Sequence, residues 1–140
     1  MTNVEQIQFI TGVEMNPVGN GRIEVVLRAG SVEVSQRIHG ATRRWAARLL
    51  ESAWDLLRQV LIDARFPQPV APEPRLPGMD TTEIICTTAG MEERVRFHNS
   101  PGTYLEFRKL AYSLLAQIAP GVMPEPPWPA PRMIDDAHEN

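Results

Sequence analysis

Two histidines stand at matching places in the sequence and have the clearest chemical potential. His39 ends the run Arg-Ile-His that starts at Arg37, and His98 ends the run Arg-Phe-His that starts at Arg96. Imidazole titrates near neutral pH and often binds metals, so two imidazoles brought together could form an acid–base or metal pair. No third ligand follows at a suitable spacing, and a histidine at a strand-to-helix corner can simply bond to local backbone. We treat all four residues as candidate ligand-binding groups and predict no metal site.

Thr42, Arg43 and Arg44 form a second candidate site, for an anion. They fall at the start of a helix that the sequence predicts from Ala41 to Asp63, and a helix N-terminus offers free N–H groups and a partial positive charge. Arginines at that place would strengthen an anion site, although no glycine-rich loop precedes them. The alternative is that they are solvated surface arginines.

The segment around Trp128 is a candidate partner-binding site. Pro126, Pro127 and Pro129 surround the indole, and such a run favours polyproline II, which loses little entropy on binding. The segment can dock in an aromatic groove of a partner. Alternatively, Trp128 folds back onto its own domain.

The sequence carries no recognisable catalytic, nucleotide or zinc motif. Its one cysteine, Cys86, lies in an apolar run and excludes both an internal disulfide and a multi-thiolate metal site. We therefore predict no cofactor and lean away from an enzyme, although catalytic groups can converge from distant positions.

The elements around these residues repeat one plan, strand–turn–strand–helix, from Arg22 to Asp63 and again from Thr81 to Ala119. An alternating apolar pattern over Val4–Met15 predicts one strand before them. The pattern predicts an α+β fold: an antiparallel sheet of about five strands in the order β-β-β-α-β-β-α, with two helices on one face. Whether the two ββα units are a true internal repeat or convergent stays open.

We expect one domain over residues 1–121, with a proline-rich crossover at 66–78, followed by a proline-rich tail over residues 122–140. The formal net charge of −3 and the pI of about 5.6 argue against a nucleic-acid binder. The chain shows neither a signal sequence nor a long apolar run, so we expect a soluble, cytoplasmic protein outside the membrane.

The leading functional hypothesis is a small non-catalytic protein-interaction module, such as an inhibitor, an immunity protein or an adaptor. It would act on another protein through a face or an edge of its sheet, and through its tail. The alternative is a small-ligand-binding protein or enzyme with a cavity between sheet and helices that uses His39 and His98. A homodimer is a third possibility.

Overall fold

The computed structural model describes residues 3–12, 21–70, 81–98 and 102–140. These residues form seven strands and two helices. In chain order the elements are β1 (Gln6–Thr11), β2 (Arg22–Arg28), β3 (Ser31–Ile38), β4 (Ala41–Leu49), α1 (Glu51–Asp63), β5 (Thr81–Thr88), β6 (Met91–His98), α2 (Leu105–Ile118) and β7 (Ile134–Glu139). The predicted α+β class and antiparallel sheet are confirmed. Most of the predicted crossover at 66–78, from residue 71 onward, lies outside the described residues.

All seven strands belong to one antiparallel sheet in the order β6-β5-β1-β2-β3-β4-β7. The prediction of about five strands in the order β-β-β-α-β-β-α was therefore two strands short. One missed strand, β4, lies in the segment predicted as the first half of a helix. The other, β7, lies in the predicted tail.

The first helix begins at Glu51 rather than at Ala41, so the predicted helix from Ala41 to Asp63 was wrong in its first ten residues. The apolar residues of Ala41–Leu49 fit the helical spacing of three and four residues, but they also fit the strand spacing of two, because Trp45, Ala47 and Leu49 occupy alternate positions. Pairing with β3 selects the strand, since it places all three side chains in the core.

The turn that creates β4 is a two-residue hairpin at His39-Gly40. Both residues have positive φ, 49° and 81°, as a type I′ turn requires. Ala89-Gly90 turns β5 into β6 in the same way, with φ values of 50° and 76°. The two predicted ββα units are consequently not equivalent, because the first contains an additional strand before its helix.

The core lies between one face of the sheet and the two helices. Phe9 of β1 has no exposed surface and meets Phe107 and Tyr112 of α2 edge-to-face, with ring centroids 6.0 and 5.7 Å away. Leu57 and Leu61 of α1 are also fully buried. Burying each such side chain contributes roughly 1.5–3 kcal/mol, so this face is the main source of stability.

The segment after α2 packs against the same core. Met133 is fully buried, and its backbone accepts a hydrogen bond from the Leu50 N–H (2.9 Å) and donates one to the Gln117 side chain (2.9 Å). The chain then pairs with β4 as β7. Among the described residues, no helix is long and apolar enough to span a membrane.

Candidate functional site

The side of the sheet opposite the helices carries most of the charged groups on the strands, and we call it the open face. Alternation along each strand, together with the register between strands, fixes which residues belong to it. Its charged residues are Arg22, Arg28, Arg37, Arg44, Arg48, Arg94, Arg96, Glu24, Glu33, Glu83, Glu92 and Asp135. Half of the 14 Lys and Arg residues thus lie on one face of a chain whose net charge is −3.

Only part of this positive charge is neutralised on the face itself. Arg22 pairs with Glu24 at 3.1 Å, and Arg94 pairs with Glu83 at 3.3 Å. By contrast, four other arginines of the open face are exposed and make no ion pair with any described residue. They are Arg28, Arg44, Arg48 and Arg96. An exposed guanidinium with five N–H donors is available to a carboxylate or another acceptor of a partner.

A shallow cavity of about 270 Å³ lies on the open face over β2, β3 and β4. Its floor includes Val26, and Glu24, Glu33, Ser35 and Arg44 contribute to its wall. Carboxylates and a guanidinium thus line the same depression. It can accept a side chain that carries both an apolar part and a polar end.

The structure does not bring the two candidate histidines together. His39 sits in the β3–β4 turn, whereas His98 ends β6, with its Nδ1 3.3 Å from the Thr81 hydroxyl. Four strand spacings separate β3 from β6, or about 19 Å. Among the described residues, no group of three or more His, Cys, Asp and Glu side chains is arranged to hold a metal ion.

Arg37 and Arg96 both belong to the open face, but they lie far apart on it. Arg96 is on the edge strand β6, opposite Glu83, and Arg37 is on β3, opposite Thr42 and next to Arg22 on β2. The structure therefore joins Arg37 to the second candidate group rather than to Arg96.

The second candidate group lies on strand β4 and not at a helix N-terminus, so the predicted role of helix N–H groups has no basis. Thr42 and Arg44 face the open side. Arg43 faces the other side, where it donates two hydrogen bonds to Glu139 of β7 (3.1 and 3.0 Å) and its guanidinium lies 4.8 Å from the centre of the Trp45 ring. This hydrogen bonding lowers the pKa of the Glu139 carboxyl below its ordinary value.

Trp128 contacts α2 of its own chain. Its indole N–H donates to the Ser113 hydroxyl at 2.9 Å, and the Lys109 ammonium lies 5.5 Å from the ring centre. The flanking Pro127 and Pro129 are exposed, and Pro126 is half-buried. In this arrangement one side of the indole is already occupied, so the segment does not present a free Trp128 to a partner.

Sequence reasoning missed several residues of the open face, mainly Arg22, Arg28, Arg48 and Arg94. The signal was present, because each occupies a strand position of the opposite parity to the apolar residues. Reading both faces of every strand would have found them, whereas a search for catalytic motifs passes over them.

Comparison with models of known protein families finds no match, and comparison with curated proteins finds none of significant similarity. The open face and the strand edges of the sheet are therefore the features from which a function can be inferred.

Proposed function

We propose that this protein is a small non-catalytic protein-interaction module, of the inhibitor, immunity or adaptor kind, that binds another protein through the open face of its sheet. One observation carries the proposal. The open face gathers seven arginines against five carboxylates, on a chain that is acidic as a whole. Local charge of the opposite sign to the net charge favours a directed encounter with an acidic partner surface.

The composition of the face favours a protein over a nucleic acid as the partner. Carboxylates such as Glu24, Glu33 and Glu83 lie among the arginines and would repel a phosphate backbone. A protein surface can match both signs, and arginine is enriched at such interfaces. The buried free thiol of Cys86 is compatible with a reducing compartment, so we also propose a cytoplasmic location.

The alternative, a small-ligand protein that uses His39 and His98, has weaker support. Their separation across the sheet prevents them from lining one cavity between sheet and helices. The cavity on the open face uses neither histidine, and its one cationic side chain, Arg44, equally suits a protein partner.

The test compares charge reversals on and off the open face in the full chain. Arg44→Glu and Arg96→Glu alter two arginines of the face that lack ion pairs with described residues. Arg65→Glu is the matched control, because Arg65 is exposed just after α1. Each purified variant would be used to capture proteins from a lysate of the source cells, with quantification by mass spectrometry.

We expect one captured protein to be depleted at least tenfold by both open-face variants and retained by the control. Equal capture by all variants would contradict the proposal. Light scattering of the isolated chain tests the third possibility, a homodimer. If the wild type is a dimer and Arg44→Glu dissociates it, the partner is a second copy of the chain.

A further inference from the structure

Strand β4 is an edge that the chain's own C-terminal segment covers only in part. Register pairs join β4 to β7 between Trp45 and Leu49, and the Asn140 N–H donates to the Arg44 carbonyl at 2.9 Å. From Ala41 to Arg43, no strand within the described residues pairs with the outer side of β4. A partly open strand edge is a template for the addition of another strand.

The covering segment is attached firmly at its beginning and weakly beyond it. Met133 is fully buried and Ile134 is 8% exposed, so these two residues are anchored in the core. From Asp136 onward every residue is exposed. A register shift between Ala46 and Arg48 and a positive φ of 52° at Asp136 interrupt the pairing at the same place. The segment 136–140 can therefore detach without disturbing the core.

The contacts of this segment define what the edge recognises. Glu139 receives two hydrogen bonds from Arg43, which also lies over Trp45. Arg44, on the opposite face of β4, adds a second exposed guanidinium, whereas Asp135 pairs with Arg132 at 2.9 Å. The edge thus combines backbone pairing with guanidinium groups on both sides of the strand, and its occupant in the structure is an acidic extended segment.

We propose that the outer edge of β4, from Ala41 to Ala46, binds an extended acidic segment of a partner protein as an added antiparallel strand. Residues 136–140 of the chain hold the same edge until the partner displaces them. Main-chain hydrogen bonds would supply affinity, and an acidic side chain opposite Trp45 would meet Arg43 and supply specificity. This inference concerns a second surface and does not depend on the open-face proposal.

A second copy of the chain is a poorer occupant of this edge. The six residues of β7 span about 20 Å when extended, and they are attached to the buried Met133. If two copies exchanged their β7 strands, this short reach would force the two β4 edges to lie side by side. Arg43, Arg44 and Arg48 of both copies would then lie close together and repel.

The experiment uses the full chain with a proline in the covering strand. Every second backbone N–H of a strand points to the same neighbouring strand. The N–H of Asn140 points to β4, so the N–H of His138, two residues earlier, also points to β4. His138→Pro removes this backbone N–H donor. His138→Ala removes the same side chain but keeps the N–H donor, so this variant is the matched control. The probe is a fluorescein-labelled peptide with the sequence of residues 134–140, and its binding is followed by anisotropy.

We expect the His138→Pro chain to bind the peptide at least tenfold more tightly than the wild type or His138→Ala, because the competing segment no longer occupies the edge. A peptide in which Asn and Gln replace the acidic residues should bind at least tenfold more weakly. Adding Arg43→Glu to His138→Pro should abolish binding, whereas adding Arg65→Glu, which alters an exposed arginine just after α1, should leave it unchanged.

Amide hydrogen exchange keeps the test interpretable. In His138→Pro the amide of Ala46, which lies opposite His138 in the register, should lose protection while those of β1 and β2 keep it, which shows that the body of the protein is folded. A folded His138→Pro chain that fails to bind the peptide would overturn the proposal. A chain that instead dimerises in light scattering would also overturn it, since the occupant would then be a second copy.

Discussion

The buried Met133 allows a direct test of whether the segment after α2 is part of the folded domain. We predict that Met133→Ala strongly destabilises the protein. The side chain has no exposed surface, and its truncation leaves both backbone hydrogen bonds of the residue in place, so the change isolates its packing. Replacement of a buried methionine by alanine costs about 2–5 kcal/mol, which combines lost burial with the cavity that remains.

The chain provides a control with the same chemistry. Met91 is 74% exposed at the start of β6, so Met91→Ala removes the same atoms from a site in contact with solvent. Exposed substitutions usually change stability by less than about 0.5 kcal/mol. The difference between the two variants therefore measures the burial of Met133 and cancels any general effect of the replacement.

The assay is equilibrium unfolding in urea, followed by circular dichroism. For a loss of about 3 kcal/mol and a slope of about 1.5 kcal/mol/M, the Met133→Ala midpoint should fall by about 2 M. The Met91→Ala midpoint should fall by less than about 0.4 M under the same slope. If the two midpoints coincide, Met133 is not packed in solution, and the account of the anchored C-terminal segment is wrong.

Three further predictions concern individual contacts. Burial raises the pKa of the Cys86 thiol to about 12. The thiol therefore makes its full contribution to the unfolding free energy below pH ~8.5, where it is protonated in the unfolded chain as well. As the pH rises toward 12, this contribution falls by at most about 1.4 kcal/mol per pH unit. Urea unfolding at a series of pH values should show a flatter decline for Cys86→Ala. The Glu139 pKa, measured by NMR, should lie below its ordinary value and return to it in Arg43→Gln; an unchanged pKa would contradict the ion pair. Ser113→Ala removes the acceptor of the Trp128 indole and should lower the unfolding free energy by about 1 kcal/mol, whereas no change would mean that water replaces the contact.

The sequence predicts the fold class well because its strongest patterns are apolar and local. The buried positions of α1, such as Leu57 and Leu61, follow helical spacing, and the alternation in β1 and β3 agrees with the register. The error at Ala41–Leu49 arose where one set of residues satisfies two periods. The His39-Gly40 turn was the signal that could have decided between them, since it matches the pattern of Ala89-Gly90.

The strand β7 could not have been read from its own residues. Its segment contains Asp135, Asp136 and Glu139, which have low strand propensity, and only Ile134 is buried. It becomes a strand because β4 offers an unpaired edge and Arg43 offers a cation, which are both tertiary properties. The open face was equally hidden, because no motif unites arginines that lie on four different strands.

The position of β1 in the sheet has a consequence for the order in which the protein can fold. Although β1 comes first in the chain, it lies inside the sheet between β2 and β5, and Thr11 meets Thr82, which follows 71 residues later. During synthesis β1 to β4 can pair as successive hairpins, but the other side of β1 stays unpaired until β5 has emerged. Contacts of such long sequence separation form slowly. The interval in which β1 presents an open edge next to Ile7 and Phe9 is therefore the stage at which the nascent chain is most prone to aggregate.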